Sequence, residues 1–248
     1  MSVVFFHAHP DDESIFTGGT IARLADTGVR TVVVLATGSD REGDDLSALE
    51  RGREARAACD VLGVASLHLL GYADAGAGDA DAPFHAVDVD EAARHLATIL
   101  LEEGATTLVV YDEGGIYAHV DHLAVHRVGV AAAAAAGLET VYEATVDREY
   151  LHFVETHLVG HAVEWLAGAD AVAAINRAPL GVPTVEVTTM IDVRAVIDRK
   201  RRAIEAHASQ IPAGGALRSM DDETFEAVYG YEWFVRRGPA GVLDDLAS

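Results

Sequence analysis

The stretch VVFFHAHPDDESIFTGGTIARLADTGVRTVVVLAT, residues 3–37, decides the fold. Two apolar runs, Val3–His7 and Thr31–Ala36, flank a helical pattern at Gly18–Thr27. The second run has no polar alternation, which is typical of a strand that is covered on both faces. A strand, a helix and a second strand in this order predict a βαβ unit with a parallel sheet.

The same alternation continues along the chain. It predicts three more strands, at Ser66–Leu69, Thr106–Tyr111 and Thr140–Val146. It also predicts helices at Ser47–Leu62, Val87–Glu103 and Asp121–Ala136, and a loop at Gly71–Pro83. The weaker pattern beyond predicts a strand at Thr184–Thr189, a helix at Asp192–Ala208 capped by Asp192, a helix at Asp221–Val228 and an edge strand at Tyr231–Val235. We expect an α/β fold with a Rossmann-like, mostly parallel sheet flanked by helices and a more irregular C-terminal extension, in a single domain over residues 1–248.

The composition excludes several classes of protein. Aspartate and glutamate number 40 against 18 lysines and arginines, and the net charge is −22. Such a chain lacks the basic face that nucleic acid or an anionic membrane surface requires. Cys59 is the only cysteine, which excludes an internal disulfide and a cysteine-rich metal cluster. We see neither a transmembrane run nor a signal peptide and expect a cytoplasmic protein.

Imidazoles and carboxylates follow two of the predicted strands. Residues 7–13 read HAHPDDE after the first strand, where a dinucleotide-binding protein would have a glycine-rich turn. Residues 117–122 read YAHVDH shortly after the strand that ends at Tyr111. Ligands bind beyond the carboxyl ends of strands in open parallel sheets, so we expect the two segments to meet there. Clustered carboxylates near an apolar core favour a divalent cation, and zinc accepts such a mixed nitrogen and oxygen ligand set.

These motifs, HPDDE at His9–Glu13 and HVDH at His119–His122, resemble those of the PIG-L/LmbE-like family of zinc-dependent N-deacetylases. That family includes the deacetylases of N-acetylglucosaminyl-phosphatidylinositol and of mycothiol and bacillithiol biosynthesis. The resemblance covers most of the chain, strongly to about Val125 and thinly between Gly137 and Asp192. Further positions carry it at Thr17–Thr20, Gly38, Arg51 with Glu54, Leu62-Gly63, Lys200, His207 and Ser209-Gln210.

The resemblance implies a metal site and a general base. His9, Asp12 and His122 would hold the zinc ion, for which Fe²⁺ is the alternative. Asp11 would remove a proton from the attacking water. The resemblance therefore predicts hydrolysis of an amide by water that the metal activates.

The resemblance also implies roles for residues around the metal. His119 would be a protonated group that stabilises the oxyanion or protonates the leaving amine. Asp121 would orient His119 and raise its pKa, and Tyr117 would assist at the oxyanion. Arg51, Asp74 and Gln210 would contact the substrate or approach the metal site. Val120 replaces a proline that is common in the family, and no reacting group is lost there.

Simpler interpretations compete with these roles. Asp11 and Asp12 could only cap the following helix, which would leave the flanking histidines unexplained. His7 and His9 form the H-x-H pattern of amidohydrolase metal sites, although that interpretation requires an eight-fold barrel, and we expect His7 to be a packed histidine. His126, four residues after His122, could share its metal; we expect a structural role.

Arg51 also has a simpler interpretation, since it could pair with Glu54 three residues later on a solvated helix face.

The substrate prediction is a small N-acetylated aminosugar conjugate, with N-acetylglucosaminyl-inositol favoured by Tyr117 and by Arg51 with Asp74. The alternatives are an amidase of a thiol conjugate or another non-sugar amide, a phosphoesterase, and a non-catalytic sugar-binding relative. The acidic composition counts against phosphorylated substrates. The sequence gives no oligomeric state, and we expect specificity to lie within residues 137–184.

Overall fold

The computed structural model describes residues 1–39, 45–75, 83–154, 180–211 and 215–247. Within these residues, seven strands form one sheet in the order β3-β2-β1-β4-β5-β7-β6. The strands are β1 (Ser2–His7), β2 (Arg30–Thr37), β3 (Ser66–Tyr72), β4 (Thr107–Tyr111), β5 (Val141–Thr145), β6 (Thr189–Asp192) and β7 (Tyr231–Arg237). The first five strands are parallel, and β7 runs antiparallel to both β5 and β6.

Helices cover the sheet in two groups. One group contains α3 and α5, and the other contains α1, α2 and α7. The helices are α1 (Asp12–Asp26), α2 (Leu46–Leu62), α3 (Val89–Glu102), α4 (Gly115–Ala118), α5 (Val120–Ala136), α6 (Arg148–Val154), α7 (Ile197–Ala206), α8 (Ala216–Ser219), α9 (Asp222–Tyr229) and α10 (Val242–Leu246). Among the described residues, no helix combines the length and apolar character needed to cross a membrane.

The central strands lie in the core, as their apolar runs predict. Val3–Phe6 of β1 and Val32–Ala36 of β2 are entirely inaccessible to solvent, and Phe5 pairs in register with Val33 of β2 and Val109 of β4. Uninterrupted apolar residues are expected where helices cover both faces of a strand. The prediction of a mostly parallel, Rossmann-like α/β sheet is confirmed.

The strand order fixes where a ligand can bind. The chain runs outward from β1 through β2 to β3 and then returns to place β4 on the other side of β1. This reversal opens a crevice beyond the carboxyl ends of β1 and β4, where loops diverge to opposite sides. The segments after His7 and Tyr111 therefore meet at the edge of the sheet.

Two sequence predictions are wrong, one about where the first helix begins and one about where a strand lies in the sheet. The first helix begins at Asp12, six positions before the predicted start at Gly18, because the polar HPDDE segment itself turns into the helix. The strand predicted at Tyr231–Val235 is not an edge strand, since it lies between β5 and β6. Its pairing depends on residues distant in the sequence, which a local pattern does not reveal.

The segment from Thr184 to Ala208 also differs from its prediction. Thr184–Glu186 forms a single 3-10 turn, and the strand occupies Thr189–Asp192 instead of Thr184–Thr189. Asp192 does not cap a helix: its carboxylate accepts hydrogen bonds from the backbone and the guanidinium of Arg194. This local pairing makes a turn before the helix begins at Ile197.

Parts of the predicted loop and of the predicted specificity region lie outside the described residues. These parts are residues 76–82 and residues 155–179. The assignment of residues 1–248 to one domain stays a prediction.

Candidate active site

A buried cluster of imidazoles and carboxylates lies beyond β1 and β4. Oδ2 of Asp12 is 3.2 Å from Nδ1 of His9 and 3.3 Å from Nε2 of His122. The same oxygen accepts a hydrogen bond from the backbone N–H of His9 at 2.9 Å. His9, Asp12 and His122 are 8%, 4% and 0% exposed. The structure thus brings together the three residues that the sequence predicts as metal ligands.

His122 provides a test of whether the cluster suits a cation. Its ring is completely buried, yet neither ring nitrogen has a hydrogen-bond partner of acceptable geometry among the described residues. Tyr111 stacks on the ring at a centroid distance of 4.3 Å and so fixes its plane. Burying an imidazole without a well-formed hydrogen bond costs free energy, which a metal ion on Nε2 would offset. The donor set fits a divalent cation.

The electrostatics of His9 point the same way. Burial alone would lower the pKa of this imidazole, but Asp12 and Asp121 outweigh burial and raise it to about 10. Nε2 of His9 lies 3.2 Å from Oδ2 of Asp121 and 3.8 Å from Oδ1 of Asp74. The surroundings of His9 therefore favour a positive charge, which a metal ion or a proton can supply.

More donors converge here than the predicted three. Ligand atoms of His9, His119 and His122 lie within 4.8 Å of one another, as do those of His9, Asp74 and Asp121. The choice of His9, Asp12 and His122 as the ligands stays a prediction.

Asp11 has a strained backbone and a shifted pKa. Its φ angle is 117°, a region that residues with side chains rarely adopt. Burial, with Asp12 as its charged neighbour, raises the pKa of its carboxyl to about 7. The backbone N–H of Asp11 donates to Oε2 of Glu13 at 3.0 Å, and Oε1 of Glu13 lies 2.7 Å from Nε2 of His207. A buried carboxylate and imidazole thus hold the strained turn, and capping of α1 does not explain it because Asp11 makes no side-chain capping bond.

The surroundings of His119 oppose the protonated form that the resemblance implies, and its charge stays a prediction. Burial and the nearby imidazoles of His9 and His122 lower its pKa to about 4. Nδ1 of His119 accepts a hydrogen bond from the backbone N–H of Asp121 at 3.3 Å. The neutral ring therefore carries its proton on Nε2 and can donate from that atom.

The resemblance implies that Asp121 orients His119. Its backbone N–H bonds to that ring, but its carboxylate bonds elsewhere. The carboxylate is fully buried and bonds to four groups: Nε2 of His9, the backbone N–H of Ala75 at 3.0 Å, and both the backbone N–H and the ring Nδ1 of His85 at 3.0 and 3.1 Å. Burial opposes its ionisation, but the hydrogen bonds from His9 and Ala75 prevail and lower its pKa to about 2. Asp121 orients His9 and ties down the segments around Ala75 and His85.

Tyr117 and His119 lie on a strained loop beyond β4. Ile116 and Ala118, on either side of Tyr117, have φ angles of 63° and 62°. The Tyr117 ring contacts that of His122 at a centroid distance of 4.9 Å. Burial and the nearby Asp12 raise the pKa of Tyr117, so its hydroxyl keeps its proton at neutral pH.

Of the predicted substrate residues, Arg51 and Asp74 lie beside this cluster and Gln210 bonds elsewhere. Nη1 of Arg51 donates to Oδ2 of Asp74 at 2.8 Å, and Asp74 faces His9. The pairing of Arg51 with Glu54 is therefore wrong. Glu54 instead accepts from Oγ of Ser209 and, at 3.3 Å, from Nε2 of Gln210. That bond ties Gln210 to α2, and its hydrogen bonds do not reach the imidazoles within the described part of the chain.

The remaining histidine interpretations are resolved by contacts. Both ring nitrogens of His7 lie 2.9 Å from hydroxyls, those of Tyr111 and Thr17, so His7 is a packed histidine as expected. Nδ1 of His126 lies 3.0 Å from the carbonyl oxygen of Tyr111, consistent with the structural role expected for it. The amidohydrolase alternative is wrong because the sheet is open.

The sequence predicts no individual role for Tyr111, His85 or Asp112. Tyr111 stacks on His122, and Nδ1 of His85 lies 3.1 Å from Asp121. Asp112 is buried and bonds to the loop that carries Tyr117. The position of Tyr111-Asp112 at the end of a central strand was the available signal, whereas His85 had none.

Comparison with known proteins identifies relatives whose similarity extends over nearly the whole chain. The deacetylase of 1D-myo-inositol 2-acetamido-2-deoxy-alpha-D-glucopyranoside from Acidothermus cellulolyticus is 33% identical, with 94% of this chain and 88% of that protein covered. The protein of the same name from Thermobifida fusca is 32% identical, with 98% of each chain covered.

A solved structure shares the fold of this chain, and a family pattern matches its N-terminal part. The zinc-inhibited form of teicoplanin deacetylase Orf2 superposes with a TM-score of 0.63 at 17% identity, covering 98% of this chain and all of the other, which shows a shared fold. The pattern of the PIG-L family, described as GlcNAc-PI de-N-acetylase, matches residues 4–133. This chain belongs to the PIG-L family.

Proposed function

We propose that this protein is a metal-dependent hydrolase that removes the acetyl group from an N-acetylated aminosugar conjugate. The observation that carries the proposal is Asp11, a strained carboxyl with a pKa of about 7, beside the buried cluster of His9, Asp12 and His122. A group of that pKa can take up and release a proton near neutral pH, as a general base must. Relatives that cover nearly the whole chain are named as deacetylases of such a conjugate.

His9, Asp12 and His122 would hold the metal ion. We propose zinc, with Fe²⁺ as the alternative, because two imidazoles and a carboxylate suit both ions. Such an ion supplies a Lewis acid that polarises the amide carbonyl and makes water more acidic. Asp121 supports this role of His9, since a carboxylate that accepts from the second ring nitrogen fixes the ring.

Asp11 would handle the proton of the reaction. Its carboxylate accepts a proton from the water whose oxygen attacks the acetamide carbon. The same carboxyl then gives that proton to the amine nitrogen as the C–N bond breaks, so water and amide become acetic acid and free amine, and the acid ionises to acetate in solution. His119 is not needed as an acid, which agrees with its lowered pKa.

Tyr117 and His119 would stabilise the negative oxygen that develops on the acetamide. The Tyr117 hydroxyl keeps its proton, and the neutral His119 ring carries one on Nε2, so both can donate. Donors fixed before the reaction stabilise such an oxygen without reorganisation. The strained loop that carries both residues supplies that rigidity.

Arg51, Asp74 and Gln210 would contact the sugar. Nε of Arg51 and Oε1 of Gln210 are buried and have no hydrogen-bond partner within the described ranges. A donor and an acceptor left over in this way suit sugar hydroxyls. We propose N-acetylglucosaminyl-inositol as the substrate, and an N-acetylated non-sugar amide as the alternative. We further propose that the protein acts in the cytoplasm, without a nucleic-acid or membrane partner.

A substrate panel tests this proposal. Protein reconstituted with zinc would be assayed with N-acetylglucosaminyl-inositol, N-acetylglucosamine, an N-acetylated thiol conjugate and a phosphate ester, and released acetate, amine and phosphate measured. We expect acetate and amine in equal amounts, with the highest kcat/KM for the inositol glycoside and no phosphate. Release of phosphate alone, or acetate from none of the amides, would overturn the proposal.

A further inference from the structure

Asp112 is a buried carboxylate for which the mechanism above has no use. It directly follows β4 and is only 3% exposed. Oδ1 accepts a hydrogen bond from the backbone N–H of Ile116 at 3.0 Å, and Oδ2 accepts a short hydrogen bond from Oγ1 of Thr145 at the end of β5. Both oxygens are therefore bonded within the protein, and Asp112 links two strand ends to the loop Gly114–Ala118, which contains α4 with its non-helical residues Ile116 and Tyr117.

That loop has a conformation that its sequence does not favour. Ile116 is β-branched and buried, yet it has φ 63° and ψ −58°, and Ala118 has φ 62°. Side chains at positive φ clash with the backbone, and for a β-branched residue the conformation is an outlier. It persists only where surrounding contacts determine it. The contacts made by Ile116 therefore control the position of Tyr117 and of His119 after it.

Ile116 is held from two sides. Its N–H donates to Asp112, and its carbonyl oxygen accepts from the backbone N–H of Gly181 at 2.6 Å. The guanidinium of Arg148 donates to the carbonyl oxygen of Gly181 at 2.6 Å, which holds that segment in turn. Of the two contacts, the one through Asp112 connects the loop to the central strands.

We propose that Asp112 is a positioning residue, which holds Ile116 in its strained conformation so that Tyr117 and His119 lie where they can donate to the reacting oxygen. This proposal rests on the proposed function. The proposed metal ligands are bonded through other contacts, since His9 and Asp12 follow β1 and His122 stacks on Tyr111. Loss of the Asp112 contact is expected to displace the two donors and leave the metal in place.

The test measures the effect of Asp112→Ala in two backgrounds of the zinc-loaded protein, residues 1–248. Asp112→Ala removes both contacts, and a displacement of about 1 Å can lower kcat by ~10²-fold. We expect that loss in kcat with little change in KM or zinc content, and a smaller loss for Asp112→Asn, which keeps an oxygen for the Ile116 N–H. In a Tyr117→Phe, His119→Asn background, Asp112→Ala should change kcat by no more than about 2-fold. An equal loss in both backgrounds would show a structural role only and overturn the proposal.

A second measurement keeps the proposal testable apart from activity. In ¹⁵N-histidine NMR spectra, Asp112→Ala should move or broaden the His119 resonances and leave those of His68, on the outer strand β3, unchanged. If Asp112→Ala does not fold, Thr145→Val removes one of the two contacts and should give the same pattern with smaller shifts. Unchanged His119 resonances would overturn the proposal even if no acetamide proves to be a substrate, and a shift confined to His119 would support it.

Discussion

The two loops that build the candidate site both have strained backbones, and different buried groups hold each of them in place. The turn His9–Glu13 contains one residue at positive φ, Asp11, and is held by the buried pair of Glu13 and His207. The loop Gly114–Ala118 is held by Asp112, which accepts from a backbone amide and a hydroxyl. Each loop thus places reactive groups by strain that a buried carboxylate maintains.

The difference lies in what each loop presents. The first loop presents a carboxyl with a pKa of about 7. The second presents the phenol of Tyr117, followed directly by the imidazole of His119, and we propose that both donate hydrogen bonds to the reacting oxygen. Proton transfer and charge stabilisation are therefore assigned to separate elements. Substitutions in the two loops should differ in size and in pH dependence.

The largest effect is expected at Asp11. Asp11→Asn keeps the size of the side chain but cannot accept the proton, and loss of a general base typically lowers kcat by ~10²–10⁴-fold. The steady-state rate of acetate release would be measured beside the zinc content of the same sample. An Asp11→Asn protein with a full complement of zinc and undiminished kcat would break the assignment of proton transfer to the first loop.

A smaller loss is expected in the second loop. Tyr117→Phe removes one donor to the developing oxyanion, which typically lowers kcat by ~10²–10³-fold. Because the Tyr117 hydroxyl keeps its proton, the acid limb of the pH–kcat profile should stay where it is in the unsubstituted protein. A shift of that limb would mean that Tyr117 takes part in proton transfer and that the two loops do not divide the work.

The contact between Glu13 and His207, which holds the first loop, can be weakened without changing Asp11 or the proposed metal ligands. His207→Gln replaces the imidazole bonded to Glu13 by an amide that reaches less well, so the free energy of unfolding should fall by about 1–3 kcal/mol. Urea unfolding would measure the loss, and kcat should fall less than in Asp11→Asn. Unchanged stability would mean that the Glu13–His207 pair does not maintain the strain at Asp11.

The smallest effect is expected from a charged group outside both loops. Partial burial would raise the pKa of Glu103, but hydrogen bonds from His68 and Arg30 outweigh it and lower the pKa to about 2. A carboxyl with a lowered pKa stabilises the fold above its ordinary pKa, and this contribution is lost as the pH falls towards 2. Glu103→Gln should therefore lower the free energy of unfolding at pH 7 by less than about 1 kcal/mol.

The same variant serves as a control for the two loops. The difference in Tm between Glu103→Gln and the unsubstituted protein should shrink as the pH is lowered from 5 to 2, with kcat unaffected at pH 7. A loss of activity in Glu103→Gln would show that the site responds to general destabilisation and would weaken every comparison between the loops.

The convergence of the two motifs was predictable from the sequence. HPDDE follows β1 and YAHVDH follows β4, and adjacent parallel strands place their carboxyl ends together. The contact of Asp12 with His9 and His122 agrees with that prediction. The central strands were predictable for a related reason, since uninterrupted apolar runs are typical of strands covered on both faces.

The finer contacts depend on loop conformations that residue patterns do not encode. Asp121 bonds to His9 and to the backbone at Ala75 and His85, all of which are distant from it in the sequence. Burial and the nearby imidazoles of His9 and His122 outweigh Asp12 and Asp121 and lower the pKa of His119, a balance that the sequence pattern does not show. The antiparallel strands were misplaced because their partners are distant in the sequence.

The central claim is that His9, Asp12 and His122 hold a metal ion, and zinc content tests it most directly. The matched variants are His122→Ala and His126→Ala, which remove imidazoles one turn apart on α5, the second of which lies 3.0 Å from the carbonyl oxygen of Tyr111. After exhaustive dialysis, we predict that His126→Ala retains one zinc ion per chain and that His122→Ala retains none. One tightly bound zinc per chain in folded His122→Ala protein would contradict the assignment.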